Sequence, residues 1–447
     1  MDCKPCGHSS IKLVPDMQLV NFREAKYQQA EQQGWPGRKD EQWKYTNLKG
    51  LQSVDLNYRL SPPEKSDIEA VRKHVQGMRL KDANAVVFVN GKYVSELSAR
   101  SSNELEISTY QSWLENKKNE PRFIQIQSKF DRVSFREKHH NMFVDLNAAT
   151  FQDGVMIEVR PHKVVKGLIQ VMHFFTGSLS SGVGSLRTIV PRHTYLLGRG
   201  SQACVMEQYY SVAEAPYFTN AVSDMVLESG SSLEFVKAQH NSVNSYHIHQ
   251  VRAFLGRDSQ LYSYELTLQG GVTRNNLNVA LTEEGAGAMV NGLFLAKGSE
   301  HVDNHTLLHH DCGHTSSHQL YKGVLSGTSR GVFNGKILIS ENAQKVDSSQ
   351  LSKNLLLSGD AEIDAKPELE VYADDVKANH GATVGQIDAE QLFYLMSRGI
   401  SKPNAMTMLM EGFVKESTSN LQTTSLRKLV DQFVKKGFQQ FTVGTTD

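Results

Sequence analysis

The sequence is poor in cysteine and has no long hydrophobic run. Only four of its 447 residues are cysteines, Cys3, Cys6, Cys204 and Cys312. They are too few and too widely spaced for the disulfide framework of a secreted protein, and they are typical of a reducing compartment. No segment reaches the roughly 18 apolar residues that a membrane-spanning helix needs, and no apolar run follows a basic start at the amino terminus. We therefore expect a cytoplasmic protein that does not enter a membrane.

A net charge is missing as well. Lysine plus arginine and aspartate plus glutamate both number 48, so the formal charge is zero. Such a chain has no overall field to attract nucleic acid or an anionic membrane, and we expect neither as a partner. The phosphate-binding pattern Gly-x-x-x-x-Gly-Lys-Ser/Thr does not occur, and the glycine turn at residues 198–203 precedes a strand pattern instead of a helix. If ATP is used, we expect another chain to bind it.

The first part of the chain mixes helical and strand patterns. A helical pattern around Phe22 stops at Gly34. Ser66 stands three residues before Glu69, which predicts a reciprocal cap at the start of a second helix. Asn90-Gly91 supplies the two positive-φ positions of a tight hairpin. We predict an N-terminal α+β domain over residues 1–140.

From about residue 146 to about residue 380, short runs of alternating apolar and polar residues replace the helical spacing. A turn signal followed by such a run recurs, and its first copies lie about 30 residues apart. The copies begin at Gly200, Gly230, Asp258, Gly285, Gly331 and Gly359. A unit this short cannot enclose its own core, so the units must stack on one another. The pattern predicts a mainly β fold with a parallel β-helix core over residues 141–385, and a β-sandwich is the alternative.

Helical spacing returns after Asp388, in three segments that begin near Asp388, Ser401 and Ser425. We predict a C-terminal helical domain over residues 386–447. Its apolar stripes would cover one end of the β-helix, where the last coil otherwise exposes apolar surface and unpaired strand edges. Part of that stripe is also suited to face a partner protein.

Histidine is dense in one segment. Six histidines fall within 18 residues, together with Cys312: His301, His305, His309, His310, His314 and His318. Imidazole and thiolate are ligands for zinc or iron. Residues so spaced along coiled strands point to different faces, however, so stacked or solvent-facing polar side chains are favoured. We predict no firm metal site, and His309, His310, Cys312 and His314 are the weak candidates.

Two shorter motifs invite a similar interpretation. His247 and His249 have the period-two spacing that places both imidazoles on one strand face, as in metal-binding cupins, but the carboxylate of that motif does not follow. Cys3 and Cys6 are spaced to bind a metal or exchange disulfides. A redox pair needs a helix N-terminus to lower the thiolate pKa, and no such helix is predicted, so a frayed terminus is favoured.

Residues 373–385 are polar where the strands give way to helices. One interpretation is a structural junction, in which Gly381 and Gly385 make tight turns and Asp388 caps the next helix. The other is a site at a subunit boundary, with His380 as a ligand or base. Chemistry alone favours the junction.

Three segments in this region carry a family resemblance: residues 367–377 (PELEVYADDVK), 380–385 (HGATVG) and 392–400 (LFYLMSRGI). They resemble the SufB/SufD family of iron-sulfur cluster assembly proteins. Residues 43–46 (WKYT), 146–154 (LNAATFQDG) and 319–323 (QLYKG) are also similar to that family, so the resemblance covers about residues 30–415. The HGATVG segment is more similar to SufD than to SufB, which tends to have glutamate after the histidine. The cysteine thought to carry the nascent cluster in SufB has no counterpart here, since its place falls near Val371.

The resemblance implies a β-helix between helical domains, with SufB as a partner along the core and the SufC ATPase on the C-terminal helices. It implies a non-enzymatic scaffold subunit in which His380 contributes to the cluster-forming interface with SufB. The isolated chain would then bind no cofactor, and a transient iron-sulfur cluster or iron would lie at that interface. The residues expected to face SufC are Phe393, Tyr394, Met396 and Arg398. The family often has a cysteine two residues before the histidine, where Ala378 stands here.

Three questions stay open at this point. The chain could form a homodimer in isolation. It could be a carbohydrate-active enzyme built on a β-helix, although no recurrent acidic or basic column marks the copies of the repeat. It could also be a metalloprotein that uses the histidine cluster.

Overall fold

The computed structural model describes residues 19–99, 104–132, 141–179, 184–418 and 421–442. The motif of Cys3 and Cys6 lies outside these residues. Within them, the α-helices are α1 (Leu19–Gln33), α2 (Lys49–Gln52), α3 (Lys65–Met78), α4 (Tyr110–Glu115), α5 (Glu120–Arg132), α6 (Met142–Thr150), α7 (Ala389–Ser397), α8 (Lys402–Thr418) and α9 (Thr424–Thr442). No helix in this part of the chain is long and apolar enough to cross a membrane.

The β-strands make up most of the middle of the chain. In the N-terminal region they are β1 (Asp55–Asn57), β2 (Asn84–Val89), β3 (Lys92–Tyr93) and β4 (Leu105–Thr109). The coil begins with β5 (Asp153–Val159), β6 (Ile169–Phe175), β7 (Ser185–Ile189), β8 (Pro191–Leu197), β9 (Gln202–Ser211), β10 (Phe218–Leu227), β11 (Ser232–His240) and β12 (Tyr246–Leu255). It continues with β13 (Gln260–Gln269), β14 (Val272–Leu281), β15 (Gly287–Ala296), β16 (His301–His310), β17 (Ser316–Leu325), β18 (Arg330–Ile339), β19 (Asp347–Leu356), β20 (Glu362–Val371) and β21 (Lys377–Gln386).

The strands from β8 onward alternate between two parallel sheets, so the chain coils as a parallel β-helix, as the repeat predicts. The first sheet runs β20-β18-β16-β14-β12-β10-β8-β5-β4, and the second runs β21-β19-β17-β15-β13-β11-β9-β6-β2-β3. From β10 onward, each strand pairs with the strand two places earlier in the chain. Alternate side chains therefore point into the interior of the coil, which we call the lumen.

In the coils from β9 to β19, one corner is made by a residue with left-handed backbone, two positions before a strand of the second sheet. These residues are Gly200, Gly230, Asp258, Gly285, His314 and Lys345. Each stacks on the next coil through its backbone N–H, as from Gly200 to the Ser229 carbonyl at 2.9 Å. The first four predicted copies are confirmed as turns. The turn expected at Gly331 is wrong, because Gly331 lies within β18, and the corresponding corners are occupied by His314 and Lys345.

The N-terminal region combines helices and strands, as predicted. The Asn90-Gly91 turn joins antiparallel β2 and β3, and both residues have positive φ. The cap predicted at Ser66 is wrong. The N-cap of α3 is Glu64, whose backbone N–H donates to the Asp67 carboxylate at 3.1 Å. Asp67 takes the role predicted for Glu69 in this cap, because its carboxylate is also held by hydrogen bonds from the hydroxyl groups of Thr176 and Ser178.

The C-terminal helices lie on the outer face of the second sheet. Met410 of α8 and Val430 of α9 pack there in one apolar cluster with Leu266 and Leu293. The expectation that these helices cover the end of the β-helix is therefore wrong, and both strands of the last coil, β20 and β21, are left largely open to solvent. The domain boundaries predicted at residues 140/141 and 385/386 stay predictions.

Candidate functional site at the open end of the β-helix

The last coil ends both sheets. In the described chain β20 pairs with β18 and β21 pairs with β19, and nothing continues either sheet beyond them. Each strand is ten residues long, and its outer edge presents unpaired backbone N–H and C=O groups. Two such edges side by side form a template on which the coil of another β-helix can continue.

His380 lies on this open end. Its register partner on β19 is Gln350, whose own partner on β17 is Gln319. Gln350 is 1% exposed and faces the lumen, so His380 continues an inward-facing column. Its side chain is exposed because no further coil covers it.

Most of the other inward-facing positions of the last coil are apolar. They are Ile363, Ala365, Pro367, Leu369 and Val371 on β20, and Ala378, Ala382 and Val384 on β21. Two inward-facing residues are polar, His380 and Gln386, and Gln386 lies six positions further along β21. Of the two, His380 has the side chain that commonly binds metals. The junction interpretation of residues 373–385 fails in part, because Gly381 and Gly385 lie within β21 and make no turn. Its other part is confirmed, since Asp388 caps α7 by accepting from the backbone of Glu390 at 2.8 Å.

A second exposed feature is the surface of α7. Phe393 is 73% exposed, Tyr394 58% and Met396 42%, and the guanidinium of Arg398 lies 5.2 Å from the centre of the Tyr394 ring. Phe393 and Tyr394 line a shallow pocket together with Leu409 of α8. Exposed aromatic residues grouped in this way are typical of protein-protein interfaces.

The histidines of residues 301–318 are distributed over several environments. His301 and His305 point outward from β16. His301 contacts the hydroxyl group of Thr46 in the N-terminal region, and His305 contacts the carboxylate of Asp303 on its own strand. His309 lies outward beside Ser340, at 3.1 Å.

The remaining candidates also lie in different environments. The His310 imidazole lies in the lumen between Thr315 and Ser317, and burial lowers its pKa to about 3. His314 forms the corner before β17, and the half-buried Cys312 lies two residues before it. In the described part of the chain, no group of three or more His, Cys, Asp or Glu residues is arranged to hold a metal ion.

The lumen contains a second group of histidines that sequence reasoning found only in part. His247 and His249 share one face of β12, as predicted, and their ring centres are 5.8 Å apart in the interior. His173 and His193 join them, with their Nε2 atoms 3.1 Å apart. The Nδ1 of His193 accepts from the backbone of Val155, so its Nε2 carries the proton and donates to His173.

Burial lowers the pKa of all four of these histidines, so they are neutral near pH 7. The neighbouring carboxylate, Glu207, accepts hydrogen bonds from Tyr195, Tyr209 and Ser223. These three hydroxyl groups thus find an acceptor within the coil, whereas neither ring nitrogen of His247 has a hydrogen-bond partner among the described residues. The group forms a polar core that is closed to solvent.

The WKYT segment of the N-terminal region attaches that region to the outer face of the first sheet. The ring of Trp43 lies 4.4 Å from the Arg274 guanidinium, and Thr46 donates to the Asp303 carboxylate. Burial alone would raise the pKa of Asp303, but Arg274 and His305 beside it hold the pKa far below its usual value. This carboxylate is therefore a fixed negative charge that anchors both the sheet and the N-terminal segment.

Comparison with known proteins agrees with the architecture. Residues 179–413 match the SufBD core domain of SUF-system iron-sulfur cluster assembly, and residues 8–171 match the SufBD protein N-terminal region. The iron-sulfur cluster assembly protein SufD of Escherichia coli (strain K12) is 33% identical over 408 residues, which cover 90% of this chain and 89% of the relative. An iron-sulfur cluster assembly SufBD family protein of Synechocystis is 27% identical over 430 residues, covering 94% and 91%.

The core-domain match alone spans more than half of the 447 residues, and the match to the E. coli relative extends over nearly the whole of both chains. The N-terminal region and the β-helix lie largely within these matched regions, and α9 lies beyond the core-domain match. The chain belongs to the SufBD family of the SUF iron-sulfur cluster assembly system, on its SufD side.

Proposed function

We propose that the chain is a non-enzymatic scaffold subunit that pairs with SufB through the open end of its β-helix and contributes His380 to the cluster-forming interface. The observation that carries this proposal is the position of His380. Its imidazole is the one side chain of the kind that commonly binds metals among those facing inward on a coil whose strands end both sheets.

The strand edges support the pairing. Two ten-residue edges that lie open in one plane expose many unpaired backbone groups, which favours continuation by a second chain of similar cross-section. A SufB coil of the same family would add its strands to both sheets at once. The same edges would allow two copies of this chain to pair when SufB is absent, so we also propose homodimers of the isolated chain.

The chemistry of the imidazole supports the role of His380. A neutral imidazole binds iron or accepts a proton, and it is the commonest nitrogen ligand for metals in proteins. A ligand set divided between two chains releases its cluster when the chains separate. The assembling iron-sulfur cluster is in this view a product that the complex transfers onward.

The surface of α7 supports contact with the SufC ATPase. Phe393, Tyr394, Met396 and Arg398 present an aromatic and cationic surface of the kind that concentrates binding energy. The helices α8 and α9 pack on the second sheet, so a movement imposed on them by ATP hydrolysis would reach the β-helix. We place the complex in the cytoplasm.

The test is reconstitution with SufB and SufC. We expect the three chains to purify together, and His380→Ala to leave association and unfolding unchanged while cluster formation, followed by visible absorbance, falls at least about tenfold. His318→Ala, which removes an exposed histidine of β17 in the same sheet, is the matched control and should assemble clusters normally. Normal assembly with His380→Ala would refute the role of this histidine.

Two further measurements address the alternatives. A photo-crosslinker at Val384 should capture SufB, and its yield should change when ATP is added; capture of SufC alone would contradict the proposed pairing. Depolymerase activity on uronates, or a stoichiometric metal in the isolated chain, would support an enzyme or a metalloprotein instead.

A further inference from the structure

Gln350 lies directly behind His380 in the column that ends at the open coil. Its Nε2 donates to the Gly335 carbonyl at 2.9 Å, which fixes the amide across the lumen. Its Oε1 is closed off from solvent and has no hydrogen-bond partner among the described residues. A buried acceptor without a donor costs about 1–3 kcal/mol, so a donor at this position is strongly favoured.

The coil beyond Gln350 contains few candidates for that donor. The position opposite, next to Gly335 in the first sheet, is Pro367, which has neither a polar side chain nor a backbone N–H. The residues on either side of His380 in the inward-facing row of β21 are Ala378 and Ala382. The imidazole of His380 is therefore the side chain on the last coil that can supply an N–H to this oxygen.

We propose that Gln350 is a positioning residue for His380: its Oε1 accepts an N–H from one ring nitrogen and thereby leaves the other, unprotonated nitrogen facing the open end. A neutral imidazole has one donor and one acceptor nitrogen, so a bond to the donor decides which nitrogen is free to ligate. Histidines that bind metals are commonly held in this way by a carbonyl or carboxylate oxygen. This inference rests on the proposed function of His380.

Gln319 gives the matched comparison within the same column. It is also an inward-facing glutamine, its Nε2 donates to Thr306, and its Oε1 likewise has no partner among the described residues. It lies two strands away from His380, however, beyond the reach of that ring. Replacing Gln319 thus reproduces the loss of a buried amide without touching the proposed bond.

The experiment measures the tautomers of His380 in the full chain by nitrogen NMR of ¹⁵N-histidine protein at pH about 8. The His380→Ala spectrum identifies the signal among the 17 histidines. We expect one tautomer to predominate in the wild-type chain. Gln350→Leu should reduce the ratio of the two tautomers about fivefold, the factor that corresponds to the ~1 kcal/mol of a neutral hydrogen bond. Gln350→Glu retains an acceptor oxygen and should keep the preference, and Gln319→Leu should leave it unchanged.

The rate of cluster formation in the reconstituted complex provides a second measurement. Gln350→Leu should assemble clusters more slowly than Gln350→Glu and Gln319→Leu. If Gln350→Leu does not fold, the wild-type chain still provides a test. A tautomer ratio of His380 equal to that of a histidine with capped amino and carboxyl groups in water would overturn the inference. Normal assembly by His380→Ala refutes the function of His380 itself. Impaired His380→Ala combined with an unchanged tautomer ratio in Gln350→Leu refutes only the role of Gln350.

Discussion

Lys237 and Glu265 form an ion pair inside the lumen, where they are register partners on the neighbouring strands β11 and β13. Their side chains are 2% and 12% exposed. Lys237 also donates to Asn275, and Glu265 accepts from Tyr321. Burial lowers the pKa of Lys237, and the carboxylate beside it opposes that shift, so the pair depends on both members.

Removal of one member should therefore destabilise the coil strongly. Lys237→Met leaves the Glu265 charge buried and unpaired, and we expect a loss of about 3–5 kcal/mol in the free energy of unfolding. Lys237→Met combined with Glu265→Gln removes both charges, keeps an acceptor for Tyr321 and should recover at least half of the loss. Urea unfolding followed by circular dichroism measures both effects. Equal losses in the single and double variants would show that packing, and not the uncompensated charge, accounts for the effect.

Acid should destabilise the protein through the buried histidines His173, His193, His247 and His249. Their folded-state pKa values are lowered by burial, whereas the unfolded chain titrates near 6.5. Below that pH the unfolded state binds more protons, so the stability present above pH 6.5 is lost as the pH falls. We expect a loss of about 1.4 kcal/mol per pH unit for each histidine that remains neutral in the fold.

The measurement is the free energy of unfolding at a series of pH values between 5 and 8. His247→Gln should reduce the slope below pH 6.5, because it removes one of the groups that take up a proton on unfolding. The exposed His318, replaced in the same way, should leave the slope unaltered. An identical slope in the His247→Gln variant would contradict this assignment.

Glu300 should act in the opposite direction. Burial raises its pKa to about 7, although the backbone N–H of Lys297 donates to it at 2.9 Å. The unfolded chain loses this proton near pH 4.5, so the contribution present below that pH is lost as the pH rises toward 7. Glu300→Gln keeps an acceptor for Lys297 and should stabilise the protein by about 2–3 kcal/mol at pH 7.5, with no gain at pH 4. The exposed Glu284, changed to Gln, is the control and should alter stability by less than about 1 kcal/mol.

Phe393 should matter for association and not for folding. Its side chain is 73% exposed on α7, so Phe393→Asp should change the free energy of unfolding by no more than about 0.5 kcal/mol. If α7 binds SufC, loss of such an anchor should weaken that binding about 30-fold or more. Met408→Asp, which alters an exposed apolar residue of α8, is the comparison. Titration calorimetry with purified SufC measures both, and equal affinities of Phe393→Asp and wild type would remove α7 from the interface.

Local signals explain how much of the fold was predictable. Asn90-Gly91 and the corners at Gly200, Gly230 and Gly285 were recognised because glycine and asparagine tolerate positive φ without help from the rest of the chain. His314 and Lys345 occupy the same corner without such a signal, since the stacked coils hold their backbone in place. The sequence pattern predicts a cap at Ser66, but Glu64 provides it. The reason is that Asp67, its partner in the cap, is fixed by hydroxyl groups more than one hundred residues away.

The candidate site divides in the same way. The family motif identifies His380 as a candidate site residue. The alternation of side chains along one strand does not show that His380 ends a column with Gln350 and Gln319, because that column depends on the register between strands. The dense histidines of residues 301–318 are typical of a metal site, but His301, His305 and His309 lie four residues apart along the outer face of β16 and His310 faces the lumen, so they do not converge. His173 and His193 were overlooked because residues so far apart in the chain meet only through the coiling.

The coil follows from local sequence patterns. Turn residues recur about 30 positions apart, and the runs between them alternate in polarity. A unit this short can bury its apolar side only by stacking on its neighbours. The folded chain was needed to show where the coil ends, which side chains complete its interior and which surface the C-terminal helices cover. These depend on register and burial between distant strands, where the free energy of each contact is set by neighbours that local sequence does not specify.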